Sequence, residues 1–248
     1  MKDNSDITYN SATDKQIDDT RKHVIIFICH NDESIEKVID KIQIDNVFII
    51  LVGNNQINEK YTSNNKILIA RNYPYNIEDE KELLTFTAWY CISKNNLFPD
   101  QDFLSLLEYD VILKEDFLTN LNYLCMKNDL DIISFLFSPE CWEWVTKKNI
   151  LEIFLQNKSC RLPENKYCCW MPTTNHCIRR NIINEFVDWY YPDCHFLKKE
   201  DSAFYSYYHE RLFSLYVIQN NKRITILPGL EHLFLTSHSH FTGGTEGS

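Results

Sequence analysis

The chain has 248 residues, 44% of them hydrophobic, and its 25 basic against 35 acidic side chains leave a formal net charge of −10. That length suits one sizeable domain with a full core, and the acidity argues against a general binder of phosphate backbones, which is normally basic. No apolar run reaches the ~20 residues that span a bilayer, so no membrane span and no nucleic-acid partner are expected.

Residues 1–22 are polar and acidic, lack the apolar segment of a secretory signal, and read as a disordered tail. His23-Val24-Ile25-Ile26-Phe27-Ile28-Cys29 is a continuous, β-branched apolar run and predicts a buried first strand. The polar loop His30-Asn31-Asp32-Glu33-Ser34 follows, then helical spacing from Ile35 to Ile42, with Asp32 or Ser34 as its cap. Asn46 to Val52 predicts a second buried strand, ended by Gly53-Asn54-Asn55. Lys66 to Ala70 predicts a third, ended by Arg71-Asn72-Tyr73-Pro74. From Ile77 to Ser93 the pattern turns helical, with Glu78, Asp79 and Glu80 at the end of the helix dipole that favours acids.

The run from Phe103 to Leu113 is apolar except for its second half, which carries Glu108 and Asp110. It predicts a central strand over 103–108, and the alternation of strand and helix up to this point predicts a parallel sheet with crossover helices. Beyond it, Lys114 to Met126 reads as helix and Asp131 to Leu136 as a short strand. One helix or two fit Cys141 to Gln156, a loop fits Arg161 to Trp170, and a helix starts at Arg180. Glu200 to Gln219 reads as helix, with Glu200-Asp201-Ser202 at its amino end, and Lys222 to Leu227 as a late strand closed by Pro228-Gly229. No repeat or linker divides the chain, so one α/β domain is expected over 23–242, with 243–248 as a flexible tail.

The nine cysteines are an odd number in a large chain without a signal, which predicts reduced thiols and a cytoplasmic location. Cys160, Cys168, Cys169, His176, Cys177, Cys194 and His195 crowd one third of the sequence. Zinc sites favour tight C-x₂₋₄-C pairs, whereas Cys168 and Cys169 are adjacent, so buried thiols are the better reading. No GxSxG, Walker A or GxGxxG pattern occurs, which removes support for hydrolase, P-loop and dinucleotide chemistry.

Carboxylates in an apolar strand are costly unless they are paired or bind a metal. Glu108 and Asp110 stand where open α/β sheets bind ligands, at the carboxyl end of a central strand. Glu108-Tyr109-Asp110 resembles the DxD motif of GT-A-fold glycosyltransferases, with Glu in the first place. The order of elements over 23–113 is similar to the Rossmann-like half of that fold. The resemblance implies a GT-A-like single domain with a mostly parallel mixed sheet flanked by helices. It also implies a divalent cation, Mn²⁺ or Mg²⁺, held by Asp110 and Glu108 against the diphosphate of a nucleotide-sugar, in keeping with the oxygen preference of hard cations.

Other stretches extend the resemblance. His30, Asn31 and Asp32 stand where the family contacts base and ribose, although the same residue types suit a helix cap. Arg71 and Asn72 occupy a further nucleotide-contacting place, or a plain exposed loop. Lys198-Lys199-Glu200-Asp201 resembles the x-E-D motif of inverting members. There Asp201 would be the general base and Glu200 an acceptor contact; an acid-rich helix start is the alternative. Among the C-terminal histidines, His238 or His240 would complete the metal shell, with His232 the lesser candidate. Trp170, Thr173 and Asn175 fall in the stretch that lines the acceptor, and Trp142 and Trp144 offer further stacking faces. The Gly-Gly pair that many members place here is missing.

The expected activity is therefore metal-dependent transfer of a sugar from a nucleoside-diphosphate donor, UDP foremost, to a hydroxyl of a glycan or protein, with inversion. A sugar nucleotidyltransferase, or a non-catalytic sugar- or protein-binding domain, would share the scaffold. The former usually has a Gly-rich basic loop after its first strand, which His30-Asn31-Asp32-Glu33 is not. The abundance of Asn, Ile and Lys in a compact chain without an anchor is similar to glycosyltransferases of large DNA viruses.

Overall fold

A computed structural model describes residues 22–53, 55–83, 85–114, 116–127, 129–135, 138–141, 148–161, 167–170, 175–228 and 230–232. Its strands, in chain order, are β1 (His23–Cys29), β2 (Val47–Leu51), β3 (Ile67–Ile69), β4 (Phe103–Glu108), β5 (Val111–Leu113), β6 (Ile132–Ser134), β7 (Ser138–Cys141), β8 (Tyr167–Trp170), β9 (His176–Arg179), β10 (Ile224–Ile226) and β11 (Leu230–His232). The helices are α1 (Asp32–Glu36), α2 (Glu59–Thr62), α3 (Phe86–Lys94), α4 (Phe117–Cys125), α5 (Lys148–Asn157), α6 (Arg180–Tyr190), α7 (Cys194–Glu200) and α8 (Tyr208–Gln219). The terminal tails over 1–21 and 243–248 lie outside the described residues.

Seven strands form one mixed sheet in the order β10-β6-β9-β4-β1-β2-β3. Only β9 runs against its neighbours; the β10–β6, β4–β1, β1–β2 and β2–β3 pairs are parallel. The expected single α/β domain with a mostly parallel mixed sheet and flanking helices is thus what the chain forms. Because the parallel strands share a direction, the loops after β1, β2, β3, β4, β6 and β10 and the entry to β9 all gather at one edge.

Every residue of β1 is buried, as a strand covered on both faces requires. Val24, Ile26 and Ile28 belong to a core with α3, α6 and α8, whereas Ile25, Phe27 and Cys29 belong to another with α1 and α4. Phe186 anchors the first core: its ring meets those of Trp89, Phe213 and Tyr190 at centroid separations of 5.8, 5.0 and 5.6 Å. At the far side of the sheet Asp131 accepts hydrogen bonds from the Arg223 backbone N–H at 2.9 Å and its guanidinium at 3.2 and 3.3 Å, and it also pairs with Arg179 at 3.3 Å. These bonds fasten β10 and β9 to β6.

Several expected elements come out differently. The cap before Ile35 is Asn31, not Asp32 or Ser34: Asn31 Oδ1 accepts from Ser34 N–H at 2.9 Å and Ser34 Oγ accepts from Asn31 N–H at 3.0 Å, a capping box. The helix it starts is one turn long and gives way to a 3₁₀ turn at Ile39–Gln43. The segment from Ile77 also begins with a 3₁₀ turn, Lys81–Leu83, before α3. Part of the expected loop over 161–170 is β8, which pairs with β7. Strand β9, absent from the sequence reading, bridges β4 and β6; four residues beginning with a histidine carry too little pattern to stand out. Finally, Glu200 and Asp201 end a helix instead of beginning one. Asp201 is the C-cap of α7, with its N–H on Leu197 O at 2.9 Å, and α8 starts only at Tyr208.

Candidate functional site

Glu108 is the last residue of β4, and Tyr109-Asp110 form the tight turn into β5. This turn opens onto a cavity of about 400 Å³ at the gathering edge of the sheet, lined also by His30, Thr85, Tyr207, His209 and Glu210. Three carboxylates and two imidazoles therefore meet in one hollow. Asp110 is buried, at 6% exposure, and Glu108 is half-buried.

Asn175, fully buried at the entry to β9, holds Glu108 from two sides. Its Oδ1 accepts the Glu108 backbone N–H at 2.8 Å, and its Nδ2 donates to Glu108 Oε2 at 3.3 Å. An amide side chain does this where a carboxylate or an amine could not, because it supplies an acceptor and a donor together. His209 is buried beside Thr85, whose Oγ1 lies 3.3 Å from Nε2. Burial pushes its pKa down to about 4 despite the opposing charge of Glu108, so it is neutral at pH 7. Burial lowers His30 as well, again against the pull of Glu108. With both imidazoles neutral and three carboxyl groups in the wall, the hollow favours a cation or a ligand that brings one.

No family model and no curated protein matches the sequence. Among solved structures, a mannosyltransferase from S. cerevisiae, Ktr4p, aligns over 90% of this chain and 74% of its own, at 12% identity and a TM-score of 0.43.

The donor chemistry of Glu108 and Asp110 suits Mg²⁺ or Mn²⁺, which are commonly held by one or two carboxylates plus substrate phosphates. Among the described residues, no three His, Cys, Asp or Glu donors of this cavity lie mutually within 4.8 Å. Strand β11 pairs with β5 so that His232 stands opposite Val111, one residue beyond Asp110. His238 and His240 lie outside the described residues, as do Thr173, Trp142 and Trp144.

The remaining sequence candidates are spread out. Asn31 is spent on the α1 cap, and Asp32 accepts the Asn58 N–H at 3.2 Å on the surface. Arg71 is exposed and donates to Asn55 O at 3.2 Å, while the Asn55 side chain donates to His30 O at 2.7 Å. This chain of contacts ties the loops after β1, β2 and β3 together. Asn72 lines a separate hollow of about 270 Å³ beside the edge strand β3, whose lining among the described residues holds no carboxylate, histidine or cysteine. Trp170 ends β8. Glu200 is exposed; Asp201 accepts from Tyr208 OH at 3.1 Å and is not among the residues lining the carboxylate cavity.

Sequence reasoning missed Glu210, His209, Tyr207 and Thr85, because nothing local distinguishes an acid in the first turn of α8 from any other. It also missed Glu78. This carboxylate is 4% exposed and accepts the N–H of Gly53, whose φ of 91° shapes the turn after β2. Burial raises the Glu78 pKa, against the Gly53 hydrogen bond and the Arg71 charge. A pocket of about 40 Å³ beside it is lined by Gly53, Glu78 and His30, the last shared with the larger cavity.

Proposed function

We propose that the chain is a metal-dependent glycosyltransferase that moves a sugar from a nucleoside-diphosphate donor, a UDP-sugar foremost, to a hydroxyl of a glycan or protein acceptor. The observation that carries this reading is that Glu108, held by Asn175 at the end of the central strand, lines with Asp110 and Glu210 one cavity large enough for a sugar. Glu108 and Asp110 would hold Mn²⁺ or Mg²⁺, which when bound supplies positive charge for the departing diphosphate. Asn175 fixes the rotamer of Glu108, and neutral His30 and His209 wall the site without competing charge. Of the residues assigned to the nucleotide by resemblance, His30 lines this cavity, and its loop is tied through Asn55 to Arg71.

Transfer also needs a group that takes the proton of the attacking hydroxyl, whose own pKa is far above neutrality. A single displacement with inversion assigns that task to one carboxylate. Asp201 is the candidate from its motif, and Glu210 is the one that lines the cavity. Asp201→Asn and Glu210→Gln discriminate them: the true base loses transfer and keeps donor binding, and the other variant keeps both.

The experiment is calorimetric titration of UDP, GDP and their common sugars, with and without Mn²⁺, into the wild-type chain and Asp110→Ala. Metal-dependent binding of one nucleotide that the variant loses supports the reading. Absence of binding for every nucleotide-sugar, with Mn²⁺ and with Mg²⁺ in its place, overturns it.

A further inference from the structure

On the α4 face of the sheet, separate from the residues that line the carboxylate cavity, the core contains a polar island. His23 opens β1, Ser105 lies in β4, Cys177 in β9 and Cys125 at the end of α4. All four are buried, at 8, 0, 0 and 2% exposure. The two sulfurs are 3.6 Å apart, and neither cysteine is in a disulfide. The ligating atoms of His23, Cys125 and Cys177 lie within 4.8 Å of one another, and among the described residues this is the one such triplet of His, Cys, Asp or Glu.

We propose that His23, Cys125 and Cys177 form a structural zinc site, with the Ser105 hydroxyl at the fourth position. Zinc–sulfur bonds of about 2.3 Å in a tetrahedral shell put two thiolates roughly 3.7 Å apart, and the observed 3.6 Å already matches. The imidazole is set for the role. Its Nδ1 lies 3.2 Å from Asn122 Oδ1, an acceptor that fixes the proton on Nδ1 and leaves the Nε2 lone pair facing inward. Ser105 Oγ stands 2.8 Å from that Nε2, a hydrogen bond that zinc would replace with the longer edge between two ligands of one ion. Two thiolates and an imidazole select a soft or borderline cation over Mg²⁺ or Mn²⁺.

The site is non-local, which is why spacing rules do not reveal it: its three ligands are drawn from β1, α4 and β9. It would also account for polar groups in a layer otherwise filled by Ile25, Phe103, Leu121 and Ile133, where apolar residues would be cheaper to bury.

The test is metal analysis of the full chain purified without chelator, followed by extraction and reloading with zinc alone. The expected result is one zinc per chain, a higher melting temperature on reloading, and loss of both effects in Cys125→Ser and Cys177→Ser. If those variants fold poorly, the wild type still decides the matter by thiol alkylation read by mass spectrometry. Chelation should speed labelling of Cys125 and Cys177 and leave buried Cys29 and Cys91 unchanged. Absence of zinc after reloading, zinc that persists in both variants, or a Cys125–Cys177 disulfide in the untreated protein overturns the proposal.

Discussion

His209 offers a direct test of how the candidate site couples to stability. Its imidazole is 2% exposed, packs at 5.9 Å from the Phe86 ring, and touches Thr85 in a cavity wall. Burial lowers its pKa from 6.5 to about 4 in the folded chain. The unfolded chain therefore binds a proton that the folded chain refuses, and stability falls as pH drops from 6.5 towards 4. Integrating that difference between about pH 7 and pH 5 gives a loss of roughly 2 kcal/mol from this one group. Urea unfolding followed by tryptophan fluorescence at the two pH values measures the total loss. His209→Gln keeps a polar side chain that can meet Thr85 but does not titrate. Its pH-dependent loss should be smaller than that of the wild type by about 2 kcal/mol. Equal losses in the two proteins would refute the argument, since they would mean that His209 charges without penalty in the folded state.

Four further outcomes follow from named contacts. Phe186→Ala should cost about 3–5 kcal/mol in urea unfolding, because it empties the centre of the aromatic core between Trp89, Tyr190 and Phe213. Gly53→Ala should cost roughly 1–2 kcal/mol through backbone strain alone, since φ is 91° and the nearest atom to an added Cβ is 3.9 Å away; an unchanged unfolding midpoint would show that the turn relaxes. Asp131→Asn should cost about 1 kcal/mol, a modest figure because the Arg223 partner is 53% exposed, and the loss should shrink in high salt. Asn175→Ala removes the acceptor of the Glu108 N–H, for an expected cost of about 1–3 kcal/mol. If the carboxylate pair binds the donor, the same variant also weakens metal-dependent nucleotide binding in calorimetry, and unaltered affinity would remove Asn175 from the site.

Much of the architecture is legible in the residues themselves. The runs 24–29, 47–52 and 103–107 are apolar but for Ser105, as strands covered on both faces require. The position of Glu108 and Asp110 at a central strand end follows from the same run, and the turn at Tyr109-Asp110 lies where the apolar stretch stops tolerating charge. Helix α6 was expected from Arg180, where it begins.

What surrounds those carboxylates was a tertiary decision. Strand β9 reverses direction between β4 and β6, and that insertion carries Asn175 onto Glu108 from 67 residues away. The break between α7 and α8 turns an apparent helix start at Glu200-Asp201 into a helix end, and it moves the cavity-facing acid to Glu210. Glu78 passes for a helix-dipole acid until the turn after β2 brings the Gly53 N–H to it. The His23, Cys125 and Cys177 triplet depends on three elements packed on one face of the sheet. Local sequence determines which segments must be buried, because burial is a property of composition and period. Which polar groups then share a cavity depends on strand order and helix breaks, which arise from the packing of the whole chain.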